Sequence, residues 1–437
     1  MNNEAVQNVA KYIISFLLED DEIVEQIEYE KKPTGKVPIT IIASDFFDDN
    51  VYLTKNSLPK RSLLKWHDCP ILYGTPQEIV NDGKIVIYAD IVASTFFMIS
   101  RYEELIRKDN RDKHNRFSGV ECFAAENNFL ERPIVDEYTI ILKEILHDYV
   151  MEQKKENKIK KVYLTHDVDV PWMRWSFLSA LRNCIGYSRM NKRLEIWPLK
   201  NYFGDYSQNP FDTFDFLIEQ DNKVKNIEKI DCEIIYFLVS TDEPDEYTES
   251  YIEDKKVMEL FNKLEEASTK LGLHLSYNAG YTNDIVKQKK EKMLLENRLK
   301  RTVVANRNHF LLSKDIDAFE GLIDIGITDD YTMGYADRIG FRLGTSKNVN
   351  WINPKNLEIT KLILHPLIIM ECSLHGSCYM NLNYNESLSK ISEIYNKCKI
   401  VNGNFSVLFH NSAIELNDRN EYKKMYEYII DMIVNDN

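Results

Sequence analysis

Leu164-Thr165-His166-Asp167-Val168-Asp169 decides the reading of this chain, because it sets two carboxylates two positions apart where an apolar strand, residues 161–164, runs out. On a strand, residues two apart point to the same side, so Asp167 and Asp169 are expected to face one site while His166 turns away from it. Two carboxylates so placed repel and desolvate each other unless a cation or a shared proton intervenes. A metal site and an acid/base dyad both satisfy that requirement. A strand-end pair that caps a loop is the plainer alternative.

Working outward, short β-type runs recur between longer helix-like segments, at residues 161–165, 232–239, 272–277, 302–305, 322–327, 362–369 and 405–409. Strands alternating with helical connections imply parallel β/α architecture, either a barrel or an open doubly wound sheet. Chemistry in such folds collects at the carboxyl edge. That edge carries Asp167 and Asp169, His274 and Ser276, Arg307 and His309, Asp329 and Asp330, Glu371, and His410. Titratable groups at nearly every strand end favour a catalytic site over a loop cap.

Upstream, residues 152–161 (EQKKENKIKK) form a charge-dense break between two apolar-patterned parts. It divides the chain into residues 1–152, a smaller α/β domain, and residues 160–437, the larger one. The first part mixes strand-like runs at 37–43 and 84–88 with helical patterns at 91–107 and 138–149.

The chain has 437 residues, 44% of them hydrophobic, which suits two or three cored domains. Its 55 basic and 69 acidic side chains leave a net charge of −14, a poor match to nucleic acid, whose phosphates need a clustered basic surface. The amino-terminal segment lacks a basic leader with a small-residue cleavage site, and no apolar run is long enough to span a membrane, so a cytoplasmic protein is expected. Seven cysteines without a CxxC pair fit a reducing compartment. The basic segment 287–301 (KQKKEKMLLENRLKR) reads as a solvated helix face or as a surface for anionic phosphates, including peripheral contact with a membrane leaflet.

With these residues in hand, the region from about 161 to 411 resembles the NodB-like polysaccharide deacetylases, in a divergent branch whose first motif reads LTHDVD. The strings FFMISRYEE (96–104), DKHNRF (112–117) and ERP (131–133) resemble the accessory domain that precedes such barrels. The resemblance implies a distorted (β/α)7 barrel after a smaller α/β domain, and a metal-dependent carbohydrate N-deacetylase. It implies Asp167 as general base, His410 as general acid, Arg307 as the group that orients and charge-stabilises Asp167, and Asp330 as a group tuning the site histidine or the substrate. Asp169 and His274 would hold a divalent cation, zinc by preference.

The family's second metal histidine falls on Asn278, a poorer ligand than imidazole for zinc; His309 either replaces it as a ligand or is a hydrogen-bonded residue of the groove. Tyr277, Phe310, Arg342 and Glu371 are the expected substrate contacts, with Asp337 and Arg342 also open to a structural ion-pairing role. His365, inside an apolar run, reads as a core histidine. The expected partner is an acetamido sugar or a sugar-linked precursor of a surface polysaccharide. Two rivals stand beside this: a catalytically degenerate barrel that binds glycan or a partner, and a hydrolase of another acyl or amide bond.

Overall fold

The computed structural model describes residues 3–149, 156–267, 269–377, 379–414 and 420–436, so part of the expected boundary, 152–155, lies outside the described residues. The amino-terminal part is built on β1 (Ile27–Glu30), β2 (Ile39–Ile42), β3 (Leu64–Trp66), β4 (Cys69–Ile71), β5 (Gly74–Asn81) and β6 (Lys84–Ala89). Its sheet runs β1-β2-β6-β5, with β5 antiparallel to β6 and the other pairs parallel, while β3 and β4 form a separate hairpin. Helix Asn3–Leu18 contributes the buried stripe Val6, Val9, Ile13 and Leu17, spaced at helical intervals, to the common core. Asp90 caps the helix Ile91–Ile99 through the Ala93 amide and also accepts from Tyr29 and Ser44, tying that helix to β1 and to the segment that follows β2.

The continuous helix expected over 91–107 is instead two helices, Ile91–Ile99 and Tyr102–Ile106, separated by Arg101 at φ 61°. Arg101 leaves the helical path because its guanidinium is engaged elsewhere, donating to the Ser313 hydroxyl and carbonyl and to Glu104.

The second sheet contains β7 (Lys161–Val168), β8 (Cys232–Val239), β9 (Lys270–Leu275), β10 (Ala305–Asn308), β11 (Asp329–Asp330), β12 (Val349–Asn353), β13 (Glu358–Leu364), β14 (Ile369–Met370) and β15 (Asn404–Leu408). Its order is β12-β13-β11-β10-β9-β8-β7-β15-β14, parallel throughout except for the antiparallel β12–β13 pair. β7 and β8 are buried along most of their length, as strands covered on both faces must be. Residues 365–368 join β13 to β14 and bond to both sides of the row. The His365 and Leu367 amides donate to the Asp330 and Met333 carbonyls, and the Ile368 amide donates to Ser406.

Two expected strands shift. The run 302–305 becomes a strand only from Ala305 onward. The run 322–327 is the end of helix Asp317–Asp324, not a strand. There the Gly326 amide donates to Ile323 O and the Ile327 amide to Leu322 O, with Gly326 left-handed at φ 80°, a helix-ending motif that glycine permits. One continuous apolar core holds residues of both parts of the chain. No described helix is long and apolar enough to cross a membrane.

Candidate active site

At the carboxyl ends of β7, β9 and β10 three side chains converge. Asp169 Oδ1 lies 3.1 Å from His274 Nε2 and 3.3 Å from His309 Nε2. His274 is fully buried and His309 nearly so. Despite the short approach, neither Asp169 Oδ1 nor either ring nitrogen of His274 makes a hydrogen bond of acceptable geometry among the described residues. Buried polar atoms are rarely left that way, because each forfeits its water without a replacement. The His309 Nδ1 lies 3.2 Å from the Thr248 hydroxyl, which fixes the ring with Nε2 toward Asp169. Burial alone would raise the Asp169 carboxyl, but the charge of His309 and the approach of His274 hold it well below the usual carboxylate range.

Asp167 faces the same site, as strand periodicity requires, with Oδ2 3.8 Å from His274 Nε2. Arg307 Nη1 donates to Asp167 Oδ1 at 2.9 Å and to the Thr165 hydroxyl at 2.8 Å, while Nε donates to the Tyr331 carbonyl. The guanidinium, wholly buried, lies 4.6 Å from the centroid of the Phe237 ring. On the other side of Asp169, His410 Nε2 stands 3.7 Å from Asp169 Oδ2 and its Nδ1 stands 2.5 Å from Glu371 Oε1. Burial works against a charged imidazole, yet the Glu371 carboxylate, with Cys372 and Asp169, holds the His410 proton well above the ordinary histidine range.

Several expected placements are corrected. Glu371, expected at the substrate, is fully buried and partners the His410 ring and amide. Arg342, also expected at the substrate, donates through Nε and Nη2 to Glu104 and through Nη1 to the Gly334 carbonyl, so its fork is committed to structure. The Asp330 carboxylate bonds to no histidine among the described residues; it accepts from Asn306 and Thr332, and burial raises its pKa. The Asn278 backbone amide donates to the Asp245 carboxylate at 2.9 Å.

His166 turns to the opposite side, against Asp221 and Tyr426, as expected. His365 pairs with Asp329 and stacks on Tyr331, also away from the site. Asp337 accepts the Gly119 and Val120 amides from the amino-terminal part. The basic segment 287–301 is not a free cationic face, since Lys287, Lys290, Lys292, Arg298 and Arg301 each face a carboxylate.

Tyr277 and Phe310 sit beside this centre in an aromatic group that sequence reasoning left incomplete. Their rings contact those of Tyr247 and His114, and His114 Nδ1 is 3.1 Å from the Tyr277 hydroxyl. Phe310 and Leu311 both adopt left-handed backbone, at φ 59° and 52°, which costs a side-chain-bearing residue roughly 1–2 kcal/mol each. Arg116 Nη1 donates to the Phe310 carbonyl at 3.0 Å and so braces the strained turn that carries His309. His114 and Arg116 come from the amino-terminal part. Their only sequence signal is the string DKHNRF, which points to kinship and carries no chemistry of its own.

The residues present fit a divalent cation. Ligands about 2.05 Å from a tetrahedral zinc stand about 3.3 Å apart, close to the 3.1 and 3.3 Å between Asp169 and the two histidines. Asp169, His274 and His309 form one group able to hold a metal, and Glu371, Cys372 and His410 form another. The second is tied up by the short Glu371–His410 contact and leaves one buried carboxylate oxygen, Glu371 Oε2, without a partner among the described residues, whereas the first leaves three such atoms, Asp169 Oδ1 and both ring nitrogens of His274.

Among known proteins, a family model described as "Family of unknown function (DUF7033)" matches residues 4–151. No curated protein sequence matches the chain. A crystal structure from Mycobacterium smegmatis, named provisionally as a polysaccharide deacetylase, is similar at 10% identity and a TM-score of 0.39, over 64% of this chain and 86% of that one.

Proposed function

We propose that this chain is a cytoplasmic, zinc-dependent carbohydrate N-deacetylase acting on an acetamido sugar of a surface-polysaccharide precursor. We read its second sheet as a seven-stranded (β/α)7 barrel in which residues 358–370 act as one strand bonded on both sides. The observation that carries the functional reading is the convergence of Asp169, His274 and His309, flanked by Asp167–Arg307 on one side and His410–Glu371 on the other.

Asp169, His274 and His309 would hold the cation, which when bound supplies Lewis-acid stabilisation of the negative charge that develops on the amide oxygen. Asp167 takes the proton of the attacking water, its carboxylate oriented by Arg307. His410 gives a proton to the leaving amine, and the Glu371 carboxylate supports the protonated ring that this step needs. Tyr277, Phe310 and Tyr247 offer ring faces against which the apolar face of a pyranose can pack.

Acetate release from N-acetylated sugars, free and nucleotide-linked, tests this reading. It should depend on zinc and fall at least a hundredfold in Asp167→Asn, the scale on which positioned proton transfer contributes, about 10² or more. Release only from O-acetyl sugars would move the activity to ester hydrolysis. No acetate from any acetylated sugar, together with no bound metal, would favour a glycan-binding protein without turnover.

A further inference from the structure

The connection from β7 to β8 contains two helices, Phe177–Asn191 and Trp197–Tyr202, that pack on each other far more than on the fold. Of the residues in Phe177–Asn191, only Ala180 is buried. Inside the pair, Trp197 contacts Trp175 and Tyr187 at 5.1 and 4.9 Å, and Phe177 contacts Tyr202 at 5.5 Å. Outside it the apolar side chains face water: Leu178 is 68% exposed, Met190 67%, Leu194 82% and Phe203 73%. Nine of the 21 large hydrophobic residues exposed among the described residues fall between 177 and 203. Single exposed apolar side chains are ordinary on a soluble surface, but a concentration of this kind marks a contact surface.

Charge identifies what that surface meets. Residues 170–203 carry Arg174, Arg182, Arg189, Lys192, Arg193 and Lys200 against Glu195 alone, so 6 − 1 gives +5 in a chain of net −14. All six cations are exposed, and among the described residues only Arg174 and Arg193 are drawn into ion pairs. On the longer helix Leu178, Leu181 and Ile185 follow a helical stripe, and Arg182 and Arg189 lie along its flank. Apolar and aromatic side chains bordered by basic ones are the composition that seats a helix in the headgroup region of an anionic bilayer. The hairpin is anchored at its base, where Asn411, next to His410, donates to the carbonyls of both Val170 and Phe211.

We propose that the helical hairpin of residues 174–203 is a lipid-docking surface that seats this chain, its candidate site included, on an anionic membrane. This surface is distinct from the basic segment 287–301, whose cations are largely paired. A second copy of this chain is a poorer occupant, because two such hairpins would bring like charges together.

Co-sedimentation of the full chain with vesicles tests the proposal without reference to metal or turnover. The chain should sediment with vesicles of phosphatidylcholine mixed with phosphatidylglycerol, bind pure phosphatidylcholine far less, and be released by raised salt. Arg182→Glu with Arg189→Glu should weaken binding roughly 25-fold or more, at about fivefold per cation lost near an anionic surface. Leu194→Asp with Phe203→Ser should weaken it as well. Both variants change exposed positions, so thermal melts followed by circular dichroism should match the wild type. Failure of the wild type to bind, or binding that both variants retain, overturns the proposal. A concentration-dependent dimer abolished by the same substitutions, without vesicle binding, also overturns it and assigns the surface to a second copy.

Discussion

Replacing Glu104 with Gln tests whether Arg342 is a strut between the two parts of the chain or a substrate contact. Glu104 is 4% exposed and receives the guanidinium groups of Arg101, at 2.5 Å, and Arg342, at 2.9 and 3.0 Å. Burial pushes its carboxyl up, but Arg101 and Arg342 overcome this and hold it down to about 2, against an ordinary 4.5. That difference corresponds to about 3 kcal/mol of stability, within the roughly 3–5 kcal/mol that breaking a buried ion pair costs.

The pKa is lower in the folded state, so this contribution is complete above the unfolded value. It drains as pH falls from about 4.5 toward about 2. Urea unfolding of wild type and Glu104→Gln should therefore differ by about 3 kcal/mol at neutral pH, with the gap closing across that acid window. Glu103, whose carboxyl burial raises to about 7, loses a repelling neighbour in the variant, which offsets part of the loss. A neutral-pH difference under about 1 kcal/mol, the range of an exposed pair, would refute the reasoning. So would a gap that persists unchanged at the acid end.

Three further outcomes follow from the site. Glu371→Gln should lower turnover roughly 10²-fold and move the alkaline limb of the pH profile to lower pH, because the charge that holds the His410 proton is gone; an unmoved limb contradicts the pairing. His309→Ala should weaken zinc binding at least tenfold by calorimetry, and an unchanged affinity removes His309 from the ligand set. Arg116→Ala should weaken zinc by about tenfold, at the low end of what loss of a ligand's supporting group costs, with Arg116→Lys recovering part of it. A change in KM with zinc affinity intact would instead confine Arg116 to the substrate wall.

What the sequence disclosed divides along physical lines. Period-two geometry put Asp167 and Asp169 on one side and His166 on the other, because local backbone alone dictates side-chain direction on a strand. The parallel order of strands was legible from apolar runs such as 232–239. The run 322–327 was not, since an apolar helix end followed by Gly326 looks like a short buried strand until its capping bonds are seen. Arg342 and Glu371 were assigned outward roles because their partners, Glu104 and His410, lie 238 and 39 residues away. The bracing of Phe310 by Arg116 across 194 residues is of the same kind. Apolar positions 177–203 gave no warning of exposure, because helical patterning identifies a stripe and says nothing of what covers it.

Calorimetric titration of zinc into the chelator-stripped full chain tests the central claim most directly. One zinc should bind per chain, lost in Asp169→Ala and retained in Glu371→Gln, since the first group of ligands and not the second holds the ion. Absence of zinc binding, or binding that survives Asp169→Ala and disappears in Glu371→Gln, would contradict it.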